Sequence, residues 1–288
     1  FAVGAKSGAI LNPAVSFSHD LANYNGGKGN PLGEWGLVYC VFQCIGAAIG
    51  AGLFKSLHPE EFGEKPSGTN LEKLLGEFLG AFFLMTTVGC CDGSGVASLV
   101  AGSACLAALV FSLGSLSGAQ FNPAVSVSLC MTGRQHYEET VQYVMSQILG
   151  TLCGTFFYAR CVFNNANNTF QFKGPSGSHT WTELAISEAF VTCIFCHVVL
   201  NSLPSVPQLA GVLMGATVMV CSVLGQSFGG GVLNPALVLG SHLHRSVVEG
   251  SVNNMFPAVM LAAFQVGGGV AAAMVCQQLK TAGKGKNN

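Results

Sequence analysis

Long runs of apolar residues, separated by short polar segments, dominate the pattern of this chain. Seven of these runs are long enough for an α-helix to cross a bilayer, which takes about 17 to 25 residues at a rise of 1.5 Å each. They cover residues 36–54, 74–91, 97–114, 141–159, 184–203, 209–226 and 256–276. The pattern predicts an all-α integral membrane protein that crosses the lipid bilayer several times.

Three shorter apolar stretches carry the same Asn-Pro-Ala motif: "SGAILNPAVSFS", "SGAQFNPAVSVS" and "GGGVLNPALVLG". The motifs are Asn12-Pro13-Ala14, Asn122-Pro123-Ala124 and Asn234-Pro235-Ala236. Because each stretch is short and contains glycine and proline, we expect half-helices that enter the membrane partway. Such broken helices are tolerated only where protein or a water-filled cavity satisfies their free backbone groups. The three stretches therefore indicate a pore.

An internal repeat relates these motifs. The three asparagines, and likewise the glutamates Glu77 and Glu188 within apolar runs, recur at spacings of about 110 residues. The repeating unit is helix, helix, half-helix, helix. Since three full spans are an odd number, consecutive units must be inverted in the membrane. We expect two inverted units to bring their half-helices together near the midplane.

Composition supports a membrane protein and excludes several functions. Only 9% of the 288 residues are charged, against about a quarter in soluble domains. The net charge of -1 argues against a nucleic-acid partner. The twelve cysteines lie mostly in apolar runs, and Cys193 and Cys196 have no second pair, so we expect no metal and no cofactor. No nucleophile, base and orienting group share a polar site, so an enzyme is not expected.

The Asn-Pro-Ala motif suits a half-helix that faces a passage. Asparagine accepts hydrogen bonds from the free N–H groups of the first turn, and proline fits the first helical position. We expect the asparagine NH2 to point outward and donate to the oxygen of a passing molecule. Each half-helix N-terminus carries roughly half a positive charge, so two facing tips oppose cations and protons. Neutral molecules with a hydrogen-bonding oxygen would pass.

The residues from about 71 to 279 resemble the aquaporin, or major intrinsic protein, family. The resemblance rests on "GEFLGAFFL", "SGAQFNPAVS" and "GVLNPAL". It implies a right-handed bundle of six transmembrane helices plus two re-entrant half-helices, assembled as a homotetramer, in the plasma membrane or an internal membrane. It also implies passive transport of water and small neutral solutes. The family's paired membrane glutamates match Glu77 and Glu188, which we expect to accept loop N–H groups and not to touch the solute.

The narrow filter of the family departs from its usual pattern in this chain. Most members have an aromatic residue on the second helix and an arginine three positions after the second asparagine. The matching positions here hold Gly102, Ser222, Gly231 and Leu237. Such a filter predicts a wider, uncharged passage that admits glycerol or urea as well as water. The alternative is that neighbouring bulk, such as Phe228, refills the gap.

The first motif has no partner loop of its own. Gln43 and Gln265 each follow their asparagine by 31 positions, whereas Gln147 follows Asn122 by 25. We therefore expect residues 1–57 to be the last loop and last helix of a truncated upstream unit. Residues 58–70 would be a linker, 71–279 a complete channel and 280–288 a basic cytosolic tail. A true tandem protein and a gene-model artefact both remain open.

Two rivals to a passive channel remain. The unusual filter is compatible with a structural or adhesive membrane protein that keeps the fold without conducting. Inverted repeats with broken helices also build secondary transporters. Transporters usually place polar binding groups at the midplane, and apart from the asparagines the spans offer few.

Overall fold

The computed structural model describes residues 8–25, 35–63, 70–91, 95–163, 174–253 and 255–284. Residues 64–69 of the predicted linker and 285–288 of the predicted tail lie outside these ranges. The chain divides into two compact units, Phe1–Glu72 and Lys73–Asn288. All the regular structure in the described ranges is helical, so the predicted all-α membrane fold is confirmed.

The first unit contains a short helix, α1 (Pro13–Asn25), and a long apolar helix, α2 (Gly36–Leu57). Gln43 on α2 ties them together: its Nε2 donates to the Ile10 carbonyl at 2.6 Å and to the Ser16 hydroxyl at 2.9 Å. A 3-10 turn, Pro59–Phe62, follows α2.

The second unit contains the remaining eight α-helices. In chain order they are α3 (Leu71–Cys90), whose first two residues fall in the first unit, α4 (Val96–Ser117), α5 (Pro123–Met131), α6 (Tyr137–Phe157), α7 (Trp181–Ser205), α8 (Ala210–Gln226), α9 (Pro235–Glu249) and α10 (Met255–Lys284). A π-helical turn, Tyr158–Val162, ends α6. Helices α5 and α9 follow the Asn-Pro-Ala motifs, and α5 is only 9 residues long. The order is helix, helix, half-helix, helix, twice over.

Six helices in the described part of the chain are long and apolar enough to cross a membrane: α2, α3, α4, α7, α10 and a segment, Pro207–Gln226, that includes α8. The seventh predicted span falls on α6. That helix is 21 residues long but is not one of the six, because Gln142, Ser146 and Gln147 make it more polar. Gln147 is fully buried, so its amide faces protein and not lipid.

Glycines set the closest helix crossings of the second unit. A Cβ on Gly150 of α6 would clash with the Phe78 carbonyl of α3, and one on Gly268 of α10 would clash with the Ala189 carbonyl of α7. Small residues at membrane helix contacts let backbones approach in this way. The two crossings are equivalent in the two repeats, and they hold each half-helix loop beside a glutamate-bearing helix.

Candidate functional site

The two half-helices of the second unit begin at asparagines in extended backbone conformation. The Asn122 Oδ1 accepts from the Ala124 N–H at 2.9 Å, and the Asn234 Oδ1 accepts from the Ala236 N–H at 3.0 Å. Pro123 follows the first cap, where its missing N–H leaves nothing unsatisfied. Each helix N-terminus is thus fixed by its own motif.

Each asparagine also holds the opposite loop. Asn122 Nδ2 donates to the Leu233 carbonyl at 2.8 Å, and Asn234 Nδ2 donates to the Phe121 carbonyl at 2.9 Å. We call this reciprocal pair the clasp. An amide NH2 has two hydrogens, so one is used in the clasp and one remains for the cavity that both asparagines line. The sequence predicted that these NH2 groups donate to a passing molecule, and it did not predict the hydrogen bond that each makes across the clasp.

Glu77 on α3 collects the donors of the first loop. Its Oε1 accepts from the Ser117 hydroxyl at 2.7 Å and the Gln120 N–H at 3.0 Å. Its Oε2 accepts from the Phe121 N–H at 2.7 Å and from Gln147 Nε2 at 2.8 Å. The carboxylate is fully buried and lies outside the cavity lining.

Glu188 on α7 does the same for the second loop. Its Oε1 accepts from the N–H groups of Gly231 and, at 3.1 Å, Val232. Its Oε2 accepts from the Leu233 N–H at 3.1 Å and from Gln265 Nε2 at 2.7 Å. The two glutamates therefore occupy equivalent places in the two repeats.

The residues before the asparagines adopt an unusual backbone. Phe121 has φ 49° and Leu233 has φ 56°, the left-handed region that bulky side chains rarely enter. Each is held from both sides, because its N–H donates to a glutamate and its carbonyl accepts from the opposite asparagine. Strained residues persist where the surroundings over-determine them, and here the glutamate and the clasp together direct each carbonyl to the asparagine of the opposite loop.

A cavity of about 380 Å³ lies at this meeting point. Its lining includes Asn122 and Asn234 together with all four candidate filter positions, Gly102, Ser222, Gly231 and Leu237. No charged side chain is among the lining residues that the structure describes.

The filter positions differ in what they offer. The Ser222 hydroxyl donates to the Gly231 carbonyl at 2.7 Å, so its hydrogen is already used. A Cβ on Gly102 would lie 3.3 Å from the Val88 side chain, which leaves little room for a larger residue without a shift. Phe228 is absent from the described lining and packs instead 4.8 Å from the His179 ring. It does not refill the gap.

Sequence reasoning missed several residues of the site. Only the spacing of Gln147 and Gln265 from the asparagines was used, although their side-chain amides donate hydrogen bonds to Glu77 and Glu188. Ser103 lines the cavity with a buried hydroxyl that has no partner among the described residues, and the Oε1 of Gln120 is likewise unpartnered. Polar residues inside apolar runs were the available signal for all four.

The first motif is capped in the same way but stands apart. The Asn12 Oδ1 accepts from the Ala14 N–H at 2.9 Å, and Pro13 begins α1. The first unit has a single Asn-Pro-Ala motif in its sequence, so it does not form a clasp of its own.

Several known proteins are similar to a large part of this chain. The family model described as Major intrinsic protein matches residues 67–276. Aquaporin NIP1-1 of Arabidopsis thaliana is 28% identical over 193 residues, which are 60% of this chain and 64% of that protein. For aquaporin NIP1-2 of the same plant the identity is 29% over 201 residues, covering 62% of this chain and 67% of the relative. Nodulin-26 of Glycine max is 28% identical over 200 residues, covering 62% and 70%.

The X-ray structure of the aquaglyceroporin from Plasmodium falciparum has the same fold. It superposes with a TM-score of 0.58 at 21% identity and covers 72% of this chain and 95% of the other. The chain spans about two thirds of the length of the plant relatives. Because the family model covers most of the chain and coincides with the repeats, half-helices and clasp, the chain belongs to the major intrinsic protein family of integral membrane proteins.

Proposed function

We propose that residues 71–279 form a passive channel for water and small neutral solutes. The observation that carries the proposal is the uncharged cavity at the meeting point of the two half-helices. The free hydrogens of Asn122 and Asn234 supply two donors there for a solute oxygen. The printed names of the plant relatives, aquaporins NIP1-1 and NIP1-2, support the same conclusion.

Ion exclusion in this proposal depends on the half-helices. Two N-termini that face each other place partial positive charge beside the passage, and the surrounding protein has a low dielectric constant. Leu237 stands where most members of the family carry an arginine. The clasp and the helix ends are therefore the barrier to cations and protons.

We infer that the passage is wider than in a strict water channel. Gly102 and Gly231 add no side chain to the filter, and Leu237 adds an apolar one. Fewer donors and more room lower the barrier for glycerol and urea, which carry apolar as well as polar groups.

The apolar lining also favours a second candidate, a structural or adhesive membrane protein that does not conduct. Phe195, Val218 and Leu237 face the cavity, and hydrophobic constrictions can close a pore by dewetting.

Osmotic swelling of vesicles that contain the full chain separates the two candidates. The channel proposal expects faster swelling in water, glycerol and urea than empty vesicles show. Asn234→Ala removes a cap and half of the clasp and should slow all three. Asn12→Ala removes an equivalent cap from the first unit and serves as the matched control. Swelling at the rate of empty vesicles, with the protein inserted and folded, would establish the non-conducting candidate.

Two further proposals concern assembly. We infer a homotetramer, because the family resemblance implies one; chemical crosslinking in the membrane should give a ladder that ends at four chains.

We also propose that residues 1–57 are the end of a second channel-like unit. Helix α1 has 13 residues, close to the 15 of α9 and unlike the 9 of α5. One contact resembles the α5 half-helix instead of α9: Gln43 Nε2 donates to the Ser16 hydroxyl as Gln147 Nε2 donates to the Ser126 hydroxyl.

A further inference from the structure

The loops of the second unit share one set of donors. In each, the backbone N–H groups of the two residues before the asparagine donate to a glutamate. Gln120 and Phe121 donate to Glu77, and the corresponding pair in the other loop donates to Glu188. A glutamine from the helix after the half-helix donates to the same carboxylate. Each carboxylate is therefore the centre around which a loop is organised.

The loop of the first unit presents the same donors without the carboxylate. Its backbone begins the same turn, with Ala9 at φ 52° where Ala119 has φ 48°, but Leu11 does not share the positive φ of Phe121 and Leu233. The N–H groups of Ile10 and Leu11 have no acceptor within the described ranges. Leu11 is 84% exposed. Unpaired N–H groups are costly in hydrocarbon, so a membrane-embedded loop of this kind needs an acceptor.

A glycine marks where the missing partner would pack. In each copy a glycine lies three positions after the glutamine: Gly46, Gly150 and Gly268. On Gly150 and Gly268 a Cβ would strike the carbonyl of the residue directly after the glutamate. On Gly46 a Cβ meets nothing within 4 Å.

Apart from its contacts with α1, helix α2 has no covering partner among the described residues. It is one of the membrane-capable helices, and none of its most apolar stretch is buried. The open glycine, the free N–H groups and Gln43 lie on the same short hairpin, so one partner would satisfy them together.

We propose that the first unit binds a transmembrane helix that carries a membrane-buried carboxylate, as α3 and α7 do. The carboxylate accepts from Ile10, Leu11 and Gln43, and the carbonyl after it packs on Gly46. Gln43 then exchanges its bond to the Ile10 carbonyl for one to the carboxylate. This inference deepens the proposal that residues 1–57 are the end of a second channel-like unit, and it is independent of whether the second unit conducts.

The probe is a peptide with the sequence of residues 183–205, which contains Glu188 and lacks tryptophan. It carries a dansyl group at its N-terminus and is added to the full chain in phosphatidylcholine vesicles. The chain has two tryptophans, so Trp181→Phe leaves Trp35, next to α2, as the donor for energy transfer. Quenching of Trp35 measures binding.

The proposal expects the peptide to bind and its Glu188→Gln form to bind roughly tenfold more weakly, because a charged acceptor for three donors is lost. Gly46→Leu in the chain should abolish binding. Gly52 lies on another face of the same helix, and a Cβ there also meets nothing within 4 Å. The Gly52→Leu chain should therefore bind the peptide as the parent chain does.

Three outcomes would overturn the proposal. Equal binding of the two peptides would mean that no carboxylate is recognised, and binding that survives Gly46→Leu would place the contact elsewhere. Absence of peptide binding, with Gly46-dependent association between labelled chains, would make a second copy the occupant. Swelling rates in the same vesicles report separately on the channel.

Discussion

Glu77 and Glu188 show how a carboxylate can serve a membrane protein when every hydrogen-bond partner in the described part of the chain is a neutral donor. Each accepts four hydrogen bonds, three of which for Glu188 come from consecutive backbone N–H groups. Buried charges are tolerated only when donors replace the lost water. These glutamates therefore organise the loops around the cavity without lining it.

Glu188→Gln tests this dependence. A glutamine places an NH2 donor against backbone N–H groups, so we expect a loss of roughly 2 to 4 kcal/mol in stability and slower water flux. Thermal unfolding in detergent, followed by vesicle swelling, measures both. Glu138→Gln, an exposed glutamate in the first turn of α6, is the matched control and should change little. Equal unfolding temperatures for the two variants would contradict the role given to Glu188.

Leu237→Arg tests the filter. The side chain faces the cavity one turn into α9, so a guanidinium there narrows the passage and adds charge. We expect glycerol and urea flux to fall roughly tenfold while water flux falls less. Val247→Arg, on the exposed end of the same helix, is the control. Unchanged glycerol flux in Leu237→Arg would remove Leu237 from the filter.

At the scale of elements, the crossings between full helices position the half-helices. Gly268 brings the backbone of α10 against α7, and Gly269 brings it against Ala124 at the start of α5. Helix α10 thus supports the Glu188 region and the Asn122 motif at the same time.

The neighbouring glycines of α10 provide a matched pair of variants. Gly268→Ala puts a methyl group into the Ala189 carbonyl, and overpacking of this kind costs about 1 to 3 kcal/mol or more. Gly267→Ala meets nothing within 4 Å and should be neutral or slightly stabilising, since alanine favours helix. Unfolding temperatures in detergent compare the two. A Gly267→Ala protein that is the less stable of the pair would refute this helix contact.

The helices were predictable from the sequence, and the side-chain hydrogen bonds of the clasp and of Gln147 and Gln265 were not. Apolar length and the Asn-Pro motif predict the spans and half-helix starts, because they depend on neighbours in the chain. The clasp and the Gln147 and Gln265 contacts depend on atoms far apart in sequence, for which periodicity carries no signal. The functional roles given to the filter residues remain predictions, although the structure brings all four to one cavity.

At the scale of the whole molecule, the two units divide the motifs unequally. Residues 73–288 contain both members of the clasp, both glutamates and every described lining residue. The first unit contains one motif in its sequence and, among its described residues, one membrane-capable helix.

Deletion of residues 1–57 tests whether the channel is self-contained. We expect water and glycerol flux per inserted molecule to match the full chain, because no residue lining the cavity is removed. A chain that combines this deletion with Asn234→Ala should show lower water and glycerol flux. That result would show that the flux passes through the second unit. A shortened chain that inserts and folds but does not conduct would show that the first unit is part of the pore.

The clasp has a consequence for how the protein is made. Its two hydrogen bonds join residues 111 and 113 positions apart. During synthesis Asn122 must therefore wait in the membrane, without its partner carbonyl, until the first two helices of the second repeat and Leu233 have been translated. A nascent chain halted before Leu233 lacks the carbonyl that Asn122 binds and also lacks Asn234, so neither hydrogen bond of the clasp can form in it. The meeting point of the two half-helices, which the channel proposal makes both solute path and ion barrier, is accordingly assembled late, in one docking event.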